Sequence, residues 1–221
     1  DRNQTVGNWP GKTVERAEGT LYYKGYKIRV LDLPGIYSLS AYSQEELVAR
    51  EYIAVERPDV VVDVVDASAL ERNLYLTLQL MELEAPLVVC LNQVDFAAKR
   101  GIRIDHKALS ELLGVPVVPT VAITGKGLGE LLEAVVSVAE GKAPCKSKPF
   151  EFREDVEERV RELARAVEER LGREGLKYPP RWIAIKLLER DPEVEGLVAS
   201  LPGGKAVLEL AGRLASELEE I

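Results

Sequence analysis

The chain has 221 residues, 46% hydrophobic and 30% charged, with a net charge of −8 at neutral pH. That length accommodates one large core, or a medium domain beside a smaller one. The acidic balance argues against nucleic acid as a partner of the body as a whole, and no apolar run approaches the roughly 20 residues of a membrane-spanning helix. Cys90 lies in an apolar run and Cys145 in a stretch rich in Pro and Lys; neither has metal-ligand spacing, and a reducing compartment without disulfides fits both.

Residues 1–12 are polar and contain Asn3, Gly7, Asn8, Pro10 and Gly11, so a loop is expected. Residues 20–23 and 27–31 flank Lys24-Gly25 and predict a β-hairpin. A helix is expected over 43–55, with Ser43 as N-cap and Glu46 completing a capping box. Residues 60–65 form a β-branched run, the pattern of a parallel strand covered on both faces. Helices are predicted over 70–83, 106–113 and 127–139, and strands over 87–91 and 115–119. This alternation implies an α/β domain with a mainly parallel sheet and flanking helices.

The pattern changes near residue 141. Residues 142–150, with Lys142, Pro144, Lys146, Lys148 and Pro149, read as a linker. Residues 151–221 carry helical periodicity only, over 155–171, 180–189 and 204–220, broken by Gly172, Pro179, Pro192 and Pro202. The expected division is therefore 1–141, a linker at 142–150, and an all-α unit at 151–221.

Four short motifs carry the chemistry. Asp32-Leu33-Pro34-Gly35 ends a strand; in such a D-x-x-G turn the carboxylate serves Mg2+ and the glycine N–H meets a terminal phosphate. Asn92-Gln93-Val94-Asp95 follows another strand; its aspartate can accept from guanine N1–H and the 2-amino group, neither of which adenine offers. Gln93 stands where a lysine stem commonly packs on the base, which predicts weaker affinity. Thr13, within Gly11-Lys12-Thr13-Val14-Glu15, can bind Mg2+ in one nucleotide state and release it in another. Ala122-Ile123-Thr124 can present a backbone N–H to guanine O6. Each motif alone is an ordinary turn. Their order, each at the end of a strand where open α/β sheets bind ligands, points to a GTPase using GTP, GDP and Mg2+. Thr13 and Gly35 are the candidate catalytic residues, and Thr13 and Asp32 the candidate metal ligands.

With these motifs in place, the chain resembles the N-terminal region of the prokaryotic ferrous iron transport protein B family. The resemblance rests on Val6-Gly7-Asn8-Trp9-Pro10-Gly11 with Thr13-Val14-Glu15, on Asp32 to Leu39, on Asp66-Ala67-Ser68 with Leu70 to Leu80, and on Arg181 to Glu189. It implies a GTPase domain, a helical domain that tunes nucleotide release, and a covalently linked membrane permease for Fe(II). It also implies a place at the cytoplasmic face of the membrane and K+ as an aid to hydrolysis. Homo-oligomerisation is left open. A soluble regulatory GTPase of another class and a noncatalytic interaction module are the alternatives.

One departure stands out. The family opens with a strand and a G-x-x-x-x-G-K-[ST] loop, whose backbone N–H groups and lysine hold phosphates, and these residues contain neither. The sequence is therefore expected to be an incomplete record of the protein, and hydrolysis requires that loop. Ile36 occupies the place after D-x-x-G where many GTPases orient water with a glutamine, so slow turnover is expected. His106, Trp182 and Cys90 read as structural residues. Trp9, in a glycine-flanked loop, is expected to differ in exposure between nucleotide states.

Overall fold

The computed structural model describes residues 4–143, 150–172 and 176–219. Among them, residues 4–81 and 85–143 form one compact unit, and residues 82–84, 150–172 and 176–219 form a second. Most of the expected linker, 144–149, and with it Cys145, falls outside the described residues.

The first unit opens with an antiparallel meander. Strands β1 (Gln4–Asn8), β2 (Glu15–Tyr23) and β3 (Tyr26–Asp32) are ordered β1-β2-β3, with Asn8 opposite Glu15 and Tyr23 opposite Tyr26. The expectation of a loop over residues 1–12 is thus corrected at 4–8. β1 has no apolar alternation of its own, and its ladder with Glu15–Gly19 supplies the backbone hydrogen bonds that define it. The turn at Lys24-Gly25 places both residues at positive φ (47° and 82°), as a two-residue hairpin requires. Across the unit, Tyr23 and Lys24 donate to Glu133, and Tyr26 donates to Glu140.

Helix α1 (Gln44–Glu51) starts at Ser43, whose hydroxyl accepts from Glu46 N–H at 3.1 Å. The Glu46 carboxylate does not return to Ser43; it accepts from Ser38 and Ser40 instead. A π-helical turn, Tyr52–Glu56, continues α1 and ends at Arg57 in the left-handed region.

A parallel sheet follows, ordered β4-β5-β6: β4 (Val61–Asp66), β5 (Leu87–Asn92) and β6 (Val117–Pro119). Its connections are a short 3-10 turn, Ala67–Ala69, with α2 (Leu70–Glu82), then α3 (Val94–Lys99) and α4 (His106–Leu113). Helix α5 (Leu128–Ala139) closes the unit. α3 was not expected; six residues are too few for a helical period to register. β5 is central, and Leu87, Val88, Val89 and Leu91 are at most 1% exposed. Val88 packs with Val118 and Val138 and with Leu131 and Val135 of α5.

β4 corrects the expectation of two covered faces. Val65 is fully buried and Asp63 is 6% exposed, whereas Val62 and Val64 are 39% and 62% exposed. The period of two puts Val62 and Val64 on one face and Asp63 and Val65 on the other, and the described residues cover only the second. Asp63 points inward, where the Thr77 hydroxyl donates to it at 2.5 Å. Burial raises the Asp63 carboxyl above its ordinary value, against the lowering effect of that hydrogen bond.

The second unit is helical: α6 (Glu154–Leu171), α7 (Pro180–Leu188), α8 (Pro192–Ala199) and α9 (Gly204–Glu219). α8 replaces the break expected at Pro192. Pro at the first helical position costs nothing, and the Asp191 carboxylate caps the N–H groups of Glu193 and Val194. Val160, Leu163, Val167, Ile183, Leu187, Val194, Val198 and Val207 are buried with Trp182, whose ring stacks on Tyr178 at 4.3 Å. The Glu157 carboxylate accepts from both terminal nitrogens of Arg181, which holds it below the usual carboxylate range.

Candidate functional site

The four motifs lie at element ends. Asp32 is the last residue of β3 and is exposed. Leu33 and Pro34 are half-buried, and Gly35 is exposed with no atom within 4 Å of the place a Cβ would take. The chain after Gly35 is held by α2. The Arg72 guanidinium lies 4.1 Å from the centre of the Tyr37 ring, Leu39 is fully buried, and the Leu39 N–H donates to the Gln79 side-chain oxygen. The segment bearing Gly35 is therefore open, while its exit is clamped within four residues. Arg72, Gln79 and Glu46 were not singled out from the sequence for this clamp, because a helix spacing does not reveal which loop it will meet.

At the carboxyl edge of the parallel sheet, Asp66 of β4 stands opposite Asn92 of β5. Asp66 is spent locally: its carboxylate accepts the Ser68 N–H and hydroxyl, each at 2.8 Å, and caps the 3-10 turn. Asn92 reaches across to the next turn. Its side-chain oxygen accepts the Thr120 hydroxyl at 3.1 Å and the Ala122 N–H at 3.0 Å. Gln93, exposed, adopts φ 61° and turns the chain into α3, which places Asp95 exposed in the first helical turn beside half-buried Val94. Ala122, Ile123 and Thr124 are all exposed, Ile123 at 93%. Their loop is pinned by the Val121 N–H to Lys126 carbonyl bond at 2.9 Å and by Thr124 hydroxyl to Val121 carbonyl at 3.1 Å.

Thus the structure brings Asn92, Asp95 and Ala122 to one edge. Thr120, which sequence reading passed over, is the buried brace between the two turns, and its oxygen also lies 3.2 Å from the Cys90 sulfur. A threonine one residue past the last strand was the available signal. Burial pushes the Cys90 thiol up from its ordinary value, against the lowering effect of its contact with Thr120.

The Thr13 loop is an ordered turn. The Lys12 N–H donates to the Trp9 carbonyl at 3.0 Å, with Pro10 second and Gly11 third at φ 71°, the arrangement of a type II turn. Thr13 and Glu15 are exposed and Lys12 is half-buried. Val14 faces inward at 6% exposure, and its carbonyl accepts the Trp9 N–H at 2.9 Å. Its side chain is a core contact. Among the described residues no helix is long and apolar enough to cross a membrane, and no cluster of three metal-ligating side chains occurs.

Two family models match this chain: ferrous iron transport protein B over residues 1–135, and the FeoB cytosolic helical domain over residues 152–221. An Fe(2+) transport protein A/FeoB fusion protein of Porphyromonas gingivalis is 43% identical over 99% of the chain and 26% of its own length. The Fe(2+) transporter FeoB of Methanocaldococcus jannaschii is 45% identical over 89% of the chain and 28% of its own length. The chain thus spans about a quarter of these relatives. Among solved structures, the cytosolic domain of T. maritima FeoB in apo form aligns with TM-score 0.80 and 36% identity, covering 99% of this chain and 88% of that one. Its GMPPNP form gives 0.80 and 34%, covering 98% and 89%. A mutant S. thermophilus NFeoB bound to GDP gives 0.83 and 36%, covering 99% and 83%. The chain belongs to the ferrous iron transport protein B family, and its two units match that family's N-terminal domain and cytosolic helical domain.

Proposed function

We propose that this chain is the guanine-nucleotide-binding part of a ferrous iron transporter, hydrolysing GTP slowly and regulating or driving Fe(II) uptake by a permease in the same polypeptide. The observation that carries the reading is the Asn92 brace. It ties the turn that leads into the Asp95 helix to the Ala122–Thr124 loop, which supports a guanine ring meeting both the Asp95 carboxylate and that loop's backbone. Relatives solved with GDP and GMPPNP support it.

Asp95 accepts from guanine N1–H and the 2-amino group, and the backbone of Ala122, Ile123 and Thr124 meets O6. Gln93 offers no lysine stem to pack on the base. At the other end Gly11, Lys12, Thr13, Val14 and Glu15 form the loop that closes over the terminal phosphate, with the Gly35 N–H as a donor to it. Leu33 and Pro34 set the turn. Thr13 and Asp32 are exposed oxygen donors, the hard ligand type Mg2+ prefers. That ion neutralises charge on the phosphates when bound. No G-x-x-x-x-G-K-[ST] pattern occurs in these residues, so full phosphate binding requires that loop from elsewhere in the protein. Ile36 cannot orient water, and backbone groups near Thr13, aided by K+, take that task.

The test is base exchange. An Asn at position 95 presents an amide donor, which suits the 2-oxo group of xanthine in place of guanine's amine. Asp95→Asn should weaken GDP binding about 100-fold, the loss of two bonds to a charged acceptor, and restore affinity for XDP. Equal GDP affinity in both proteins would remove the assigned role. Thr13→Ala should slow hydrolysis without changing GDP affinity, and exchange of K+ for Na+ should slow the parent protein.

A further inference from the structure

The Thr13 loop is docked on the helix that follows the D-x-x-G segment. The Trp9 ring meets the Tyr52 ring edge-on, with centroids 5.3 Å apart and planes at 68°. The Lys12 ammonium lies 3.7 Å from the Glu51 carboxylate, and the Arg16 guanidinium lies 5.0 Å from the Trp9 ring centre on the loop's own side. Glu51 ends α1 and Tyr52 begins the π-helical turn, an irregularity that frequently marks functional positions. Two bonds close the loop on itself, Trp9 N–H to Val14 carbonyl and Lys12 N–H to Trp9 carbonyl. Displacing the Thr13 backbone with the turn intact therefore carries Trp9 along.

The docked state carries a cost. The indole N–H of Trp9 is buried without a hydrogen-bond partner, an unsatisfied donor that solvent would satisfy on release. The Lys12–Glu51 pair is half-exposed and weak. The aromatic contact and the buried Val14 side chain hold the loop against one buried, unmet donor, so release requires the loop to give up both contacts while the indole N–H gains a partner.

We propose that Tyr52 and Glu51 are positioning residues for Thr13. They seat the loop in a position that must be left for the Thr13 hydroxyl to reach a nucleotide-bound metal, so they tune preference between GTP and GDP. This rests on the proposed nucleotide site. It also links the two phosphate-sensing segments, since Gly35 lies upstream of the same helix.

Trp9 reports the event directly. The chain has two tryptophans, and Trp182 is 1% exposed, so iodide quenching at constant ionic strength reads Trp9. In nucleotide-free protein, quenching should be low for the parent and for Tyr52→Phe, which keeps the ring, and at least double in Tyr52→Leu. Mg·GMPPNP should raise quenching of the parent; Mg·GDP should not. Tyr52→Leu should tighten GMPPNP relative to GDP by about three- to tenfold, the range of one aromatic pair. Glu51→Gln, at an exposed position, should shift the same ratio less and only at low salt. A thermal melt checks that each variant is folded. If Tyr52→Leu frees Trp9 and the GMPPNP:GDP ratio stays at the parent value, or if GMPPNP leaves Trp9 as shielded as GDP does, the proposal is overturned. Should the parent, produced together with the phosphate-binding loop, bind neither nucleotide, the nucleotide site itself fails and the coupling with it, whatever the quenching of Tyr52→Leu.

Discussion

Thr120 donates its hydroxyl to the side-chain oxygen of Asn92 at 3.1 Å, joining the turn after β6 to the turn after β5. The same oxygen takes the Ala122 N–H at 3.0 Å, and the Thr120 N–H donates to the Leu91 carbonyl at 2.8 Å, so the Asn92 side chain and the backbone together tie the Asp95 turn to the Ala122–Thr124 loop. Thr120→Val keeps the shape and removes the donor. It should cost about 1 kcal/mol of stability, the net worth of one hydrogen bond. It should weaken guanine nucleotide binding severalfold through misplaced turns. Titration with a fluorescent GDP, alongside a denaturant melt, reads both; a stability loss with unchanged affinity would mean the brace holds the fold and not the site.

Two glycines should respond in opposite ways. A Cβ at Gly127 would lie 2.2 Å from the Pro119 carbonyl oxygen, and its φ is 83°. Gly127→Ala should therefore destabilise by about 1–3 kcal/mol or more. Gly35 has open space around it, so Gly35→Ala should leave the melting temperature within about a degree. The added methyl should instead impair binding of GMPPNP while sparing GDP. A Gly35→Ala protein with parental GMPPNP affinity would contradict a phosphate role for its N–H.

The clamp on the exit of the Gly35 segment gives a third test. Gln79→Leu leaves the Leu39 N–H without its acceptor, beside a fully buried Leu39 side chain. Loss of a buried bond of this kind costs about 1–3 kcal/mol. Amide hydrogen exchange should speed selectively over residues 35–40, and a uniform change across the unit would argue for global loosening.

Asp63 supplies a pH dependence. Burial raises its carboxyl in the folded state, so the native protein holds that proton more tightly than the unfolded chain does. Its contribution is then full below the unfolded carboxylate range and declines as pH rises through the folded-state value. Asp63→Asn removes the decline and retains an acceptor for Thr77. Its melting temperature should exceed the parent's by a few degrees at neutral pH, with the gap closing near about pH 4. Melts across that range check it, and a gap that widens toward acid would reverse the assignment.

Much of this architecture was legible in the order of residues. The Ser43 cap, the apolar run of β5 and the start of α4 after Asp105 are local signals, because caps, periods of 3.6 and short β-branched runs act within one or two turns of chain. Three of the four motifs fell at strand ends for the same reason: Asp32–Gly35, Asn92–Asp95 and Ala122–Thr124 come at or just after strands whose own pattern is clear, whereas the Thr13 turn follows β1, which has none. What the order of residues could not decide depends on partners far along the chain. β1 exists through its ladder to Glu15–Gly19, which no side-chain pattern announces. The Glu46 carboxylate could serve its own helix or Ser38 and Ser40, and the tertiary fold selects the serines. β4 reads as covered on both faces, and the described residues supply that cover only to Asp63 and Val65, because cover comes from neighbouring elements and not from the strand's own sequence. The docking of Trp9 on Tyr52, 43 positions apart in number, is of the same kind: an aromatic contact forms where two elements happen to be held together by everything else.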